Sequence, residues 1–521
     1  MLSLIKKVEK IVIVIGALSI AFVLSLILVY NTLISTDWYE QVITSRVPYI
    51  MYVIYIVIVF ILILLYPIFK RIDNKVFLVT LLLTFFIAGL YLVFNADTYL
   101  RPSDQISVWQ AAQNINAGRY TDFKKGAYLN IYPFQIGIVT FERLVAMFSK
   151  NITFLYFLNL IFNCLGIVLL WLITKQFYSN RAIQNITILL SVLFVPFLFN
   201  TLFIYGNVYG YTFMLAAVYC QIKVFKTDRE RKWSWLLGVL VFSALSYLTK
   251  TNFEIAIIAL CLVNLIGAVK KPKNLIVALL IIMVIPSTNL ILEKSYSLLI
   301  GKEFTLGAGV PKSAYLVMGI SEKNGKVGWY NAYTNYLLDA NDYNTARADK
   351  IARKKLRERL NYLDKHRNHA AKMLVKKEIS TWTDSTYQSI WNGPLPTWSG
   401  KVNTHLMKVI YVKDGKSRLY KFIRYGSMMV VWTILLFSLI GVMKKIYTVD
   451  VNDNQYLLFA MLFFVGGFIF HTFWETKAQY VYQYTASLIP IASAGLDLFL
   501  SSMWRKISIL KLNLSKNLFN R

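Results

Sequence analysis

The sequence predicts an all-α, polytopic membrane protein of about 12 transmembrane helices, with interfacial helices on its outer face and a large helical extracytoplasmic loop. Three observations carry the prediction. Hydrophobic residues make up 57% of the 521-residue chain, and mean hydropathy is +0.52. Successive apolar stretches approach the roughly 20 residues that a membrane-crossing helix needs. The short loops between them are basic on one side only, as the positive-inside rule demands of the cytoplasmic side.

The first span covers residues 11–33. Lys6, Lys7 and Lys10 precede it as in a secretory signal, but the apolar run is long and lacks a small-residue cleavage pattern. It is therefore expected to remain as an uncleaved span. Further spans fall at 49–69, 76–95, 152–175, 184–203, 207–225, 233–249, 253–270, 274–293, 420–443, 455–472 and 478–498. Lys70, Arg71 and Lys75, then Lys223, Lys226, Arg229, Arg231 and Lys232, then Lys270, Lys271 and Lys273, and finally Lys444 and Lys445 occupy loops on one side. The tail adds Arg505, Lys506, Lys511, Lys516 and Arg521. Both termini are then cytoplasmic, and the long loops lie outside. The net charge of +30 is largely topological: it points to contact with an anionic lipid bilayer, not to nucleic acid. Cys164, Cys220 and Cys261 all fall in spans, so no disulfide framework is expected.

This gives an N-terminal transmembrane hairpin (1–70), a membrane core (71–295) that includes an outer loop (96–151), an extracytoplasmic helical segment (296–419), C-terminal transmembrane helices (420–500) and a basic tail (501–521). In the first outer loop, Ser103 after Pro102 reads as the N-cap of a helix from Asp104 to Ala117. Val108, Ala111, Ala112 and Ile115 form its apolar face, and Gly118 stops it. Residues 131–148, with Glu142 and Arg143 in the middle, read as an interfacial helix, because a crossing there would invert every later loop. In the second outer segment, Asp342–Leu363 fits a basic amphipathic helix with Ala348, Ile351, Leu356, Leu360 and Leu363 near one face. Trp382, Tyr387, Trp391 and Trp398 follow in an aromatic-rich stretch. Residues 296–420 hold 21 basic against 10 acidic residues. Topology does not explain that excess on a long outer loop; it suits an anionic partner such as a phosphate-containing polymer or a lipid head group, and equally a merely solvated surface or attraction to anionic lipid.

Three polar clusters stand at outer span ends. Asp97, Arg101 and Asp104 open the first loop, and Tyr132-Pro133-Phe134-Gln135 closes it. Asp104 lies in a first helical turn, where the helix dipole and free N–H groups keep a carboxylate ionised and able to take a proton. Asp97 either shares that role or orients an acceptor; the competing readings are a helix-start residue and a membrane-exit residue. Lys250-Thr251-Asn252 forms an outer turn suited to a phosphate, with Lys250 as a point charge. A Lys250–Glu254 pair at helical spacing is its plainer alternative. His471 to Tyr480 is the third cluster, with Glu475 and Lys477 as candidate contacts to phosphate or acceptor, or simply as parts of a polar turn. His366 and His369 near Asp364, and His405 farther on, do not make a convincing metal site, and no Walker, dinucleotide or zinc-protease motif is present. No metal and no cofactor are expected.

The Asp-led outer loop, Gly118-Arg119-Tyr120, Tyr132-Pro133-Phe134-Gln135, Gly328-Trp329-Tyr330, Trp382 and the His471–Tyr480 segment together resemble the C-type (GT-C) membrane glycosyltransferases. More narrowly they resemble the protein O-mannosyltransferase and aminoarabinose transferase superfamily in its bacterial cell-envelope branch. The resemblance implies a GT-C-like catalytic membrane core in a bacterial cytoplasmic membrane, with an extracytoplasmic site. It implies a polyprenyl-phosphate-linked sugar as donor and an envelope glycan, lipid or protein as acceptor, with membrane enzymes that make or flip the donor as partners. It puts Asp104, or else Asp97, in the base position, and Lys250 at the donor phosphate with Arg101 and Lys477 as helpers. Tyr132, Gln135, Asn252, His471, Glu475 and Tyr480 would then contact substrate. The chain departs from the family in three places: residues 1–70 are an added hairpin, Asp104 is followed by Gln105 instead of a second acid, and the external segment carries no obvious separate globular domain. The alternative is a polytopic transporter or flippase of lipid-linked envelope intermediates; unequal outer loops and the lack of an internal repeat argue against it.

Overall fold

The computed structural model describes residues 2–34, 40–101, 103–227, 232–323, 325–394, 404–411, 417–445 and 451–519. Pro102, Arg229, Arg231, Trp398 and Arg521 therefore lie outside the described residues, as do the side chains of Lys444, Lys445, Lys511 and Lys516. Among the described residues the fold is all-helical apart from two short two-stranded ribbons.

Among the described residues, nine helices are long and apolar enough to cross a membrane, or up to eleven if two bent pairs each count as one span. They include Lys6–Val29, Tyr49–Arg71, Asn74–Asn95, Ile152–Phe177, Asn207–Lys226 and Gln455–Phe473. The expected 184–203 span is one bent pair, Arg181–Leu193 and Val195–Leu202, turned by 51° where Pro196 enters the second piece and cannot continue the first helix's hydrogen bonding. The 274–293 span is longer than expected, at Lys273–Ile300. The 233–249 stretch is the helix Lys232–Thr249. The 478–498 stretch is divided between a short turn, Tyr482–Ala486 and the start of Ile489–Phe519. Neither of these two is among the nine.

Side-chain contacts gather the basic connections at one end of the bundle. Asn74 Nδ2 donates to Arg181 O at 2.9 Å, and Asn185 Nδ2 donates to Phe69 O at 2.9 Å and Ile72 O at 3.1 Å. Lys226 Nζ reaches Gln176 O. The helix Asn74–Asn95 starts at this end and delivers Asp97, Arg101 and Asp104 to the other. Asn207–Lys226 runs back the opposite way, with Asn207 among the polar turns.

Several local expectations need correction. Asp104–Asn116 is helical and buries Val108, Ala111, Ala112 and Ile115, and Gly118 ends it at φ +71°. Ser103, however, does not cap it through its side chain: its hydroxyl donates to Arg101 O at 3.2 Å. The helix expected over 131–148 starts later, at Ile136–Phe148, and meets the preceding piece, 121–131, at a bend of 102° with Pro133 at the break. Within Ile136–Phe148, Glu142 turns fully inward, whereas Arg143 reaches Asn116 Oδ1 and Tyr296 OH, both at 3.0 Å. The basic helix is Thr345–Lys365, started by Asn344, whose side chain accepts from Arg347 N. It buries Ala348, Ala352 and Leu363, but Ile351 and Leu360 are exposed. The small alanines let that face approach its neighbours closely, which moves the contact stripe away from the larger residues.

Residues 30–46 hold an element the sequence did not suggest. The first helix ends at Val29, and Tyr30–Ile34 pairs antiparallel with Val42–Arg46, from Tyr30↔Arg46 to Ile34↔Val42. Thr32 N donates to Thr383 O at 3.1 Å, and the two threonine hydroxyls are 2.7 Å apart. This ribbon fastens the N-terminal segment to the end of the bundle opposite the basic connections.

Candidate active site

Asp104 is exposed at the start of its helix, and Tyr128 OH donates to its Oδ1 at 3.1 Å. The charges of Asp104 and Glu475 both act on Lys250, and Asp104 also acts on Glu475 and Lys477. Three stretches far apart in sequence, 104, 250 and 475–477, thus share one electrostatic neighbourhood.

Lys250 is set by three turns that lock together. Gly206 packs so tightly on the Thr249 carbonyl that a Cβ there would overlap it. Asn207 Nδ2 donates to Gln479 O at 3.2 Å, and Tyr482 OH donates to Asn207 O at 2.8 Å. The Lys250 ammonium lies 3.8 Å from the centre of the Tyr205 ring and 5.4 Å from that of Tyr480, a cation held by aromatic faces. It is not paired with Glu254 across a helical turn. Burial pushes its pKa down to about 7, against the pull of Asp104 and Glu475. Asn207, Lys250, Asn252, Phe253, Tyr480 and Gln483 line a narrow recess.

The Tyr132–Gln135 motif lies beneath this cation. Gln135 Nε2 donates to Tyr205 OH at 2.5 Å, and Tyr132 OH to Asn335 Oδ1. Gly309, at φ +78°, approaches the Asn130 and Ile131 carbonyls and Pro133 where a side chain would collide, and Val310 N donates to Ile131 O at 3.0 Å. The 296–419 segment thereby clasps the 96–151 segment.

The 471–480 loop is held from below by Lys377. This fully buried ammonium donates to Gly319 O at 2.6 Å, Trp474 O at 2.7 Å and Thr472 O at 2.9 Å. Thr476 N donates to Gly328 O at 2.8 Å, which ties Gly328-Trp329-Tyr330 to the same loop. Burial pushes Glu475 up to about 7, against Lys477. Burial also works against the charge of Lys477, but Glu40 and Glu475 prevail and hold it above the ordinary lysine range. Lys477 Nζ is 3.1 Å from Glu40 Oε1.

The remaining sequence candidates sit apart or behind. Asp97 is 7% exposed and closes a turn by accepting from Tyr99 N at 2.9 Å. Its backbone carbonyl takes Tyr156 OH at 3.1 Å. Arg101 is buried with its guanidinium 4.1 Å from the centre of the Trp391 ring; Glu40 and Tyr411 offset part of the burial cost to its charge. His471 is buried between Phe470, Tyr480 and Tyr484 rings, so it shapes the loop from inside. His369 Nε2 meets Glu322 Oε2 at 2.8 Å, and among the described residues no group of three or more His, Cys, Asp or Glu side chains is placed to hold a metal ion. Sequence reasoning missed Tyr205, Lys377, Gln388 and Glu40. Gln388 donates to Glu40 Oε1 at 2.7 Å and accepts from Gln479 N at 3.1 Å.

Comparison with known proteins finds a partial likeness to one family. No curated protein matches the chain. Among solved structures, the archaeal oligosaccharyltransferase AglB from Archaeoglobus fulgidus, in complex with an inhibitory peptide and a dolichol-phosphate, aligns with a TM-score of 0.43 at 13% identity. The alignment covers 86% of this chain and 52% of that one, so this chain spans about half its length. Residues 140–292 match the family described as dolichyl-phosphate-mannose-protein mannosyltransferase. The matched stretch contains Tyr205, Gly206 and Lys250; it begins after Asp104 and ends before Glu475 and Lys477. Over residues 140–292, this chain is similar to the dolichyl-phosphate-mannose-protein mannosyltransferases, a GT-C family of membrane glycosyltransferases.

Proposed function

We propose that this protein is an integral membrane glycosyltransferase that moves one sugar from a polyprenyl-phosphate donor to an acceptor hydroxyl at the extracytoplasmic membrane surface. The observation that carries the reading is the exposed Asp104 carboxylate in the electrostatic neighbourhood of Lys250 and Lys477. It lies at the end of the bundle opposite the basic connections. The similarity of residues 140–292 to a family that uses a lipid-phosphate sugar supports the donor class.

In this mechanism the acceptor O–H gives its proton to Asp104 while the acceptor oxygen forms a bond to the anomeric carbon. The bond from that carbon to the phosphate oxygen breaks, and polyprenyl phosphate leaves with the electron pair. The stereochemistry inverts. Lys250 and Lys477 meet the charge that grows on the leaving phosphate, where desolvation strengthens the interaction. The apolar faces around the bent 121–148 segment take the lipid tail. The acceptor is an envelope glycan, a lipid-linked glycan or a protein, and the basic helix Thr345–Lys365 suits an anionic one.

The test is transfer of labelled sugar from a panel of polyprenyl-phosphate donors, in membranes with an envelope extract, by wild type and Asp104→Asn. Wild-type transfer reduced roughly 10²–10⁴-fold in the variant, with folding intact, is the expected result for loss of a positioned base. Equal transfer by both proteins would remove Asp104 from the mechanism and make Asp97 the next residue to replace. No transfer from any donor would remove the reading itself.

A further inference from the structure

Glu40 makes more contacts than a helical hairpin appended to a membrane core requires. Its Oε1 accepts from Gln388 Nε2 at 2.7 Å and lies 3.1 Å from Lys477 Nζ, and its backbone carbonyl takes Lys326 Nζ. The Lys477 and Glu40 side chains are only 16% and 13% exposed, so their attraction is much less screened than that of a surface pair. Resting on the glycosyl-transfer reading above, we propose that Glu40 is a positioning residue for that reaction: it holds Lys477 charged and aimed at the donor phosphate. Residues 1–70 then complete the active site.

The surrounding backbone is built to hold this carboxylate. The Tyr30–Ile34 and Val42–Arg46 ribbon brackets Glu40 and is fixed at Thr32 to Thr383. Tyr387 and Gln388 both adopt left-handed conformations, at φ +49° and +57°, which non-glycine residues take only under strain. Asp384 stabilises that turn by accepting from Thr386 N at 3.0 Å and Gln388 N at 2.8 Å. The result is an amide that faces Glu40 with its N–H and the 478–480 turn with its oxygen.

Lys477 needs the support. Lys250 and Lys326 repel it, while Glu40, Glu475 and Asp104 attract it, and the Tyr330 ring lies 5.9 Å away. Glu475 is itself pushed up to about 7 and is only partly ionised at neutral pH. Glu40 is therefore the partner on which the lysine's charge chiefly depends.

The experiment uses full-length wild type, Glu40→Gln and Glu40→Asp in lipid nanodiscs. The pH dependence of Lys477 acylation by a small reagent is read by peptide mass spectrometry, beside the pH profile of sugar transfer. In Glu40→Gln the midpoint for Lys477 is expected to fall by about one pH unit or more, while the limb of transfer near neutral pH that Lys250 sets stays where it is. Glu40→Asp keeps the charge and is expected to restore most of the midpoint. An unmoved midpoint in Glu40→Gln overturns the inference, even if transfer falls equally at every pH, because Glu40 would then be only a structural tie. The acylation readout does not need turnover, so failure of the glycosyltransferase reading is seen separately, as absence of wild-type transfer.

Discussion

At the scale of single residues, the chemistry of the site depends on how burial divides charge among a few side chains. Lys250 is drawn down to about 7 by burial, with Tyr205 and Tyr480 rings around it and Asp104, Glu475 and Lys477 as its charged neighbours. A lysine with a lowered pKa is cationic below that value and loses its charge as pH rises through it. The donor kcat/KM, which reports the free enzyme, is therefore expected to fall above about pH 7. The limb in kcat should sit higher, because a bound phosphate favours the ammonium. Lys250→Arg keeps its charge at all working pH values; measured profiles should lose the neutral limb, and any limb that persists belongs to Glu475. An unchanged profile in Lys250→Arg would rule out Lys250 as its source. The sequence led to Asp104, Lys250 and Lys477 because charged groups at the ends of membrane spans are few and costly. It gave no lead to Glu40 or Gln388. Glu40 lies 437 residues from Lys477 and 348 from Gln388, and its surroundings in sequence carry no motif.

At the scale of elements, turns rather than helices hold the site, and these were the least legible parts of the chain. Helix positions followed from apolar length, and the Asp104 helix from its stop at Gly118 and its buried Val108–Ile115 face. The ribbon at residues 30–46 escaped because its first strand is short, β-branched and continuous with an apolar helix, so the run reads as one span. The inward turn of Glu142 escaped because the periodicity of one helix does not show which neighbours will cover it. Lys377 was equally hidden: it sits in a basic run, Lys376-Lys377, where a solvated residue is the natural expectation. Two of its three carbonyl partners, Thr472 and Trp474, fix the backbone ahead of Glu475 and Lys477, and the third, Gly319, ties that backbone to a neighbouring turn. Lys377→Met keeps the length but strands those carbonyls, each at a cost of about 1–3 kcal/mol. Hydrogen exchange is expected to rise selectively across residues 471–480, with transfer reduced and the membrane helices still protected. Exchange that rises evenly through the protein would show a general loss of stability and no specific anchoring of this loop.

At the scale of the whole molecule, two independent polarities coincide. The basic connections at 70–75, 175–181 and 223–226 meet at one end of the bundle through the Asn74, Asn185 and Lys226 contacts. The carboxylates, the aromatic-held Lys250 and the Lys477–Glu40 pair meet at the other. Positive charge on short loops sets orientation during insertion, whereas a site fed by a lipid-linked sugar must open beside a membrane surface. If both arguments hold, the site faces away from the cytoplasm and the basic helix Thr345–Lys365 shares its compartment. Exposed Asn361, in that helix, and exposed Lys271, in a basic loop, report on the two sides. In a background free of reactive native cysteines, Asn361→Cys is expected to react with a membrane-impermeant maleimide on intact cells. Lys271→Cys should react only after the membrane is opened. The reverse pattern would put the Asp104 end inside, and the sugar would then have to come from a donor on the cytoplasmic leaflet.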